Sequence, residues 1–261
     1  MRLKLTLEAN RNIISINYQH FLTSVIYNYL SNSDTKFANT LHSGKHIKSK
    51  KDFKFFTFSW LQFPKKQIAN SSLKILSSEF YWYISSPWEE FVQNFVNGLL
   101  ELGGLRLGEH NFPIAQVETI PDVIANKMNQ SQNIKFFCLS PIVITTKKEY
   151  KGKLAKYYYK PTDDLEEISE KIRQNLINKS IAFYNKSPQD TSLKIEFDKN
   201  YIKTHKAQVL SHYIKENINI KIPAIMCPFT VAGSIELIKF GYECGFGELN
   251  SAGFGMVKCV H

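Results

Sequence analysis

The chain has 261 residues, 43% of them hydrophobic and 13% aromatic, with a formal net charge of +10 at pH 7. At roughly 100 to 150 residues per domain it can fill two ordinary cores, and no run of about 18 uncharged apolar residues exists to span a membrane. The charge calls for a polyanionic partner, because lysines that neutralise phosphates release condensed counterions.

Residues 1–7 alternate polar and apolar side chains as a strand does and do not resemble a signal peptide, so a cytoplasmic protein without membrane association is expected. Tyr18, Phe21, Leu22, Val25, Ile26, Tyr29 and Leu30 then recur at the i, i+3, i+4, i+7 spacing of a helix packed on a core. Aromatic-rich stretches at residues 53–61 and 73–85 suit strands. Ser86 and Pro87 open a second helix as N-cap and N1, with Glu89 and Glu90 in its first turn and Gly103 and Gly104 at its end. An extended segment over 105–119 completes the order strand, helix, strand, strand, helix, strand.

The polar residues 121–133 read as a linker. A second copy follows: strand 134–145, helix 163–179 with Leu165, Ile168, Ile172 and Leu176 on one face, strands 193–197 and 222–231, helix 234–240 and strand 254–260. The expectation is an α+β fold of two tandem ferredoxin-like (RRM-like) βαββαβ domains, residues 1–120 and 134–261.

Several constellations bear on chemistry. Gly245, Gly247, Gly253 and Gly255 fall within eleven residues just before the closing strand. Glycines there permit positive φ and close backbone approach, and exposed N–H groups can line an anion site; an ordinary glycine-rich hairpin is the plain alternative. No Lys-Ser or Lys-Thr follows them, and a strand rather than a helix comes next, which excludes a P-loop and a dinucleotide fingerprint. Tyr27 lies roughly opposite the apolar stripe of the first helix at about 100° per residue, so it either serves the polar face or packs on the next segment. His20 lies near the same face. Residues 41–54 read as a loop with His42, His46, Lys45, Lys48, Lys50, Lys51 and Lys54.

Lys147, Lys148, Lys151, Lys153, Lys156 and Lys160, interleaved with Tyr150, Tyr157, Tyr158 and Tyr159, combine charge with rings on which bases stack, or form a solvated hairpin. Asp163, Asp164, Glu166 and Glu167 fit the dipole of a helix start better than a metal site. Cys138, Cys227, Cys244 and Cys259 lack the pairing of a zinc or redox motif, and no metal or other cofactor is expected.

The run GYECGFGELNSAGFGMVKCV, residues 241–260, closely resembles the signature that closes the CRISPR-associated endoribonucleases of the Cas-six family. NYQHFLTSVIYNYL, TLHSG, FFTFS, FVNGLL and FCLSPIVIT resemble further family blocks in the family order. The resemblance implies metal-independent cutting of CRISPR repeat RNA in a precursor transcript to give mature guide RNAs. In such a reaction the substrate 2′-hydroxyl attacks the adjacent phosphodiester. A base must take its proton, an acid must protonate the departing 5′-oxygen, and a cation should stabilise charge on phosphorus. The resemblance places Tyr27, His42 and Lys54 at catalytic positions, with His46 and Lys48 as alternatives; imidazole exchanges its proton near neutrality. RNA contacts are expected from Gly245, Gly247, Gly253, Gly255, Lys50, Lys51, Lys147 and Lys148. Implied partners are the repeat RNA, a CRISPR interference complex and a second copy in a homodimer. One rival is a non-catalytic repeat-binding or structural subunit of such a complex, against which the histidines argue. Another is a two-domain RNA-binding protein outside CRISPR systems, which would carry a different strand signature.

Overall fold

The structure, a computed structural model, describes residues 1–43, 53–124, 126–127, 133–150, 152–215 and 218–259. Leu3, Leu5 and Leu7 share one buried face of β1 (Arg2–Glu8), as period-two alternation requires. After β2 (Ile13–Ser15), α1 (Gln19–Ser33) lays Leu22, Val25, Ile26, Tyr29 and Leu30 into the same core. Next come α2 (Thr35–Ser43), β3 (Thr57–Phe58), β4 (Lys66–Ala69), β5 (Ser72–Ile75), β6 (Glu79–Ser85), α3 (Glu89–Leu102), β7 (Gly104–Leu107) and β8 (His110–Ile120). The main sheet has the order β3-β6-β1-β8-β7, with β1 antiparallel to both β6 and β8; β2, β5 and β4 form a separate small sheet.

The second half contains β9 (Asn133–Cys138), the hairpin of β10 (Thr145–Tyr150) and β11 (Lys153–Tyr158), α4 (Leu165–Tyr184), β12 (Leu193–Phe197) and α5 (Lys199–Thr204). A second hairpin of β13 (Gln208–Lys215) and β14 (Ile218–Ile225) precedes β15 (Phe229–Gly233), α6 (Ile235–Cys244), a 3-10 turn (Asn250–Ala252) and β16 (Val257–Cys259). The sheet order is β12-β15-β9-β16. In both sheets, leaving the inserted hairpins aside, the first strand lies between the third and fourth and the second flanks the third. That is the ferredoxin-like order, so the chain carries two tandem ferredoxin-like folds.

The differences from expectation have local causes. Residues 35–43, unassigned or read as loop, form α2, seeded by the Asp34 carboxylate, which accepts from the amides of Lys36 and Phe37. Helix α3 starts at Glu89 rather than at Pro87; the Ser86 hydroxyl accepts from the Trp88 amide but donates to the Phe55 carbonyl, so it ties two segments together. Gly103 does end that helix in the left-handed region. Three apolar runs each hide a turn: 73–85 divides into β5 and β6, 105–119 into β7 and β8, and 222–231 into the end of β14 and β15. The run 53–61 is strand only at Thr57 and Phe58.

Its remaining residues join two cores. Phe56 stacks on Phe91 at 4.6 Å in the first, whereas its neighbour Phe55 meets Phe183 at 5.0 Å in the second. Phe55 holds φ at +46°, a left-handed conformation unusual for a bulky residue. The buried Arg2 guanidinium donates to the carbonyls of Val257 (2.6 Å) and Tyr242 (2.7 Å), fastening β1 to the second half. All four cysteines are free, and burial pushes the thiols up, to about 12 for Cys138 and about 11 for Cys227 and Cys259. No helix among the described residues is long and apolar enough to cross a membrane.

Candidate active site

Three elements meet at one corner of the first half. Tyr27 projects from α1, half-buried, and its ring meets that of His42 edge-on at 5.4 Å and that of Phe56 at 6.3 Å. His42 is exposed in the last turn of α2. Lys54, just before Phe55, donates from Nζ to the carbonyl of Leu41 at 2.8 Å and to that of His42. The end of a helix leaves carbonyls without intrahelical partners and carries partial negative charge, so an ammonium settles there naturally. Tyr27, His42 and Lys54 are therefore brought together. His20 is not among them; its Nδ1 lies 2.6 Å from the Asn17 carbonyl, and its ring lies against Phe21 at the start of α1. His46, Lys48, Lys50 and Lys51 lie outside the described residues.

The glycine-rich segment reaches the same corner. The Thr23 hydroxyl, one helical turn before Tyr27, donates to the Ser251 carbonyl (3.4 Å), and the Thr57 hydroxyl donates to that of Phe254 (3.0 Å). A cleft of about 450 Å³ opens between them, with Lys54 and Phe53 on one wall and Gly247, Glu248, Leu249 and Ser251 on the other.

The glycines are enclosed by the fold. Gly245, Gly247, Gly253 and Gly255 are all buried, and the amides of Gly245, Gly253 and Gly255 donate to the carbonyls of Gly241, Asn250 and Pro141. Those three amides are therefore engaged within the loop rather than exposed. These residues let the backbone press against the first half: a Cβ on Gly253 would fall 2.6 Å from the Phe58 ring.

Lys179 holds this loop and was not singled out from the sequence. It is 3% exposed and donates to the carbonyls of Gly245 (2.7 Å) and Gly247 (3.1 Å) and to Asn250 Oδ1 (2.9 Å). Asn250 in turn donates through Nδ2 to the carbonyls of Phe246 and Phe254. Burial pushes the Lys179 ammonium below the ordinary lysine range. The signal was present, since Lys179 extends the stripe Leu165, Ile168, Ile172, Leu176 by three residues, where an aliphatic belongs. Lys179→Met should lower stability by about 3 kcal/mol, because three buried oxygens lose a charged donor; a thermal melt measures it.

The basic hairpin is part scaffold. Tyr159 is buried and donates to Glu167, and the Tyr157 hydroxyl donates to Asp163, so two rings serve the start of α4. Asp164 caps that helix by accepting from the amides of Glu166 and Glu167, which accounts for the acidic cluster. Among the described residues no group of three His, Cys, Asp or Glu could hold a metal ion. Lys147 stands directly opposite Lys156 across the hairpin, on the face that begins with the cleft residue Thr145. Two like charges so placed repel each other and favour an anion between or above them. A further groove, also missed, runs between the halves over Arg2, Tyr83, Phe137 and Lys258.

Comparison with known proteins decides the family. A profile for CRISPR associated protein Cas6, C-terminal, matches residues 124–259, and one for CRISPR-associated protein Cas6, N-terminal, matches residues 13–118. The chain belongs to the Cas6 family. One relative, the CRISPR-associated endoribonuclease Cas6 1 of Methanocaldococcus jannaschii, is 37% identical over all of this chain and 93% of its own length. A solved CRISPR associated protein Cas6 superposes with a TM-score of 0.77 at 35% identity, covering 100% of this chain and 99% of the other. A solved RAMP protein described as binding different RNA substrates superposes with a TM-score of 0.78 at 26% identity over all of both chains. The N-terminal Cas6 match contains Tyr27, His42 and Lys54, and the C-terminal match contains Lys179 and the glycine loop. The corner described above is thus built jointly by both Cas6 segments.

Proposed function

We propose that this Cas6-family chain is a cytosolic endoribonuclease that binds CRISPR repeat RNA in the precursor transcript and cuts it without a metal ion, by attack of the substrate 2′-hydroxyl. The observation that carries this reading is the meeting of Tyr27, His42 and Lys54 beside a cleft walled by the glycine loop. His42 takes the 2′-proton, O2′ bonds to phosphorus, and the bond from phosphorus to O5′ breaks. The departing O5′ takes a proton from Tyr27, leaving a 2′,3′-cyclic phosphate and a 5′-hydroxyl end. Lys54 supplies positive charge to the phosphoryl oxygens, exchanging neutral carbonyl acceptors for stronger charge-assisted bonds.

Lys147 neutralises a backbone phosphate beside the cleft, Lys148 does so on the other face of the hairpin, where it lies over the Tyr157 and Tyr159 rings, and Lys50 and Lys51 are further candidates. The four glycines serve RNA indirectly, by shaping the wall it meets. Unpaired nucleotides stack on Tyr83 and Phe137 in the groove between the halves. The cut product passes to an interference complex, and the working form is a homodimer.

The test uses purified protein and radiolabelled repeat RNA in EDTA, with a second RNA bearing a 2′-deoxy substitution at the cut position. Cutting should persist in EDTA and cease on the 2′-deoxy substrate. Loss of cutting in EDTA overturns the metal-free mechanism, and cutting of the 2′-deoxy RNA overturns internal attack. Binding without cutting in any condition would favour the non-catalytic subunit.

A further inference from the structure

Most polar groups in the cleft beside Lys54 already have partners. Lys179 and Asn250 hold each other and the loop carbonyls, and the Thr145 hydroxyl donates to Glu248 Oε2 at 2.8 Å. Asn175 is different. It stands on α4 one turn before Lys179, 8% exposed, and lines the cleft, yet its carboxamide oxygen has no hydrogen-bond partner among the described residues. An unpaired buried acceptor is destabilising, so a side chain of this kind needs a reason to be there.

Glu248 presents a second anomaly. A carboxylate in the wall of a cleft flanked by Lys54 and Lys147, on a chain of net charge +10, repels the phosphates those lysines attract. Its longer-range attraction to Lys179 accounts for part of its placement; nothing comparable accounts for Asn175. What an amide oxygen and a carboxylate share is that both accept hydrogen bonds. The complementary feature of RNA is the amino group of a base, since carboxylates pair with the amine of cytosine and amides with the edge of adenine. Phe53, half-buried on the opposite wall, offers a ring for stacking, and a cleft of about 450 Å³ has room for one base.

We infer that the cleft is a nucleobase subsite in which Asn175 and Glu248 accept hydrogen bonds from a base bearing an exocyclic amine, and which disfavours uracil. Uracil presents carbonyl oxygens where the amine would stand, so it sets acceptor against acceptor. The inference rests on the reading of the chain as an RNA-binding endoribonuclease and adds a base preference next to the cutting corner.

The probe is a pool of short single-stranded RNAs randomised at every position, retained on the full-length protein, recovered and sequenced. Wild type should show one position at which uracil is depleted roughly tenfold. Asn175→Leu, which replaces an unpaired amide by an apolar group of similar volume, should keep or raise the melting temperature while abolishing that depletion. Glu248→Gln should weaken it, and both variants should still retain the pool through the lysines. Absence of any uracil-depleted position in wild type, or depletion unchanged in Asn175→Leu, overturns the inference and leaves the nuclease reading intact. A marked drop in melting temperature for Asn175→Leu also overturns it, since the amide would then be serving the fold. If wild type retains no RNA at all, both readings fall.

Discussion

Replacing His42 by alanine is expected to slow single-turnover cleavage of repeat RNA by a factor of about 10² to 10⁴, the usual contribution of one positioned base, with little change in RNA affinity. The side chain is exposed at the end of α2, so its loss should move stability by no more than about 0.5 kcal/mol, and a slow variant cannot be dismissed as unfolded. Tyr27→Phe provides the companion measurement: it removes the proposed acid while keeping the ring that packs on Phe56. Quenched-flow or manual time courses at saturating protein separate rate from binding. If His46→Ala abolishes cutting and His42→Ala does not, the base has been misassigned while the enzyme class stands.

The second large effect is on the fold. Gly255 holds φ at +78°, and a Cβ there would lie 2.0 Å from the Phe246 carbonyl oxygen and 2.6 Å from Asn250 Nδ2. Neither neighbour can retreat, because the Phe246 oxygen also accepts from Asn250, which Lys179 clamps from the other side. Gly255→Ala should therefore cost about 3 kcal/mol or more, combining backbone strain with overpacking, and lower the melting temperature by roughly 6–12 °C. Gly108→Ala is the control. Gly108 has φ of +61° but nothing within 4 Å of its Cβ position, so only the left-handed backbone term of about 1 kcal/mol applies. Equal losses in the two variants would show that crowding around the loop does not matter.

The fold was legible where one signal dominated a long segment. Leu3, Leu5 and Leu7 read as a strand, and Leu165 to Leu176 as a helix face, because burial on one side leaves a period in the sequence. It was illegible where a turn interrupts an apolar run. Ser77 and Ser78 separate β5 from β6 without breaking the surrounding hydrophobicity, and α2 shows only Phe37, Ala38 and Leu41 as its buried face. Part of the candidate site was visible for a different reason. Tyr27, His42 and Lys54 carry chemistry in their side chains and were singled out by resemblance. Lys179, Asn175 and Arg2 matter through what surrounds them, and their partners lie 66 to 255 residues away for Lys179 and Arg2. No local pattern encodes a contact of that separation. The glycines show the converse: their spacing announced an unusual backbone, but only tertiary structure reveals how closely that backbone fits against Phe58 and Asn250.

Arg2 also bears on how the protein comes into being. Its guanidinium donates to the carbonyls of Tyr242 and Val257 and lies over the Tyr242 ring, and Cys244 and residues 247–251 line the cleft beside Lys54. At a translation rate of about 5–20 residues per second, roughly 7–27 s separate the synthesis of β8 from that of Val257. During that interval the nascent N-terminal half holds Tyr27 and His42 without the loop that completes their surroundings. A ribosome-bound fragment therefore lacks the wall that completes this corner, which forms late in synthesis as the two halves close on each other.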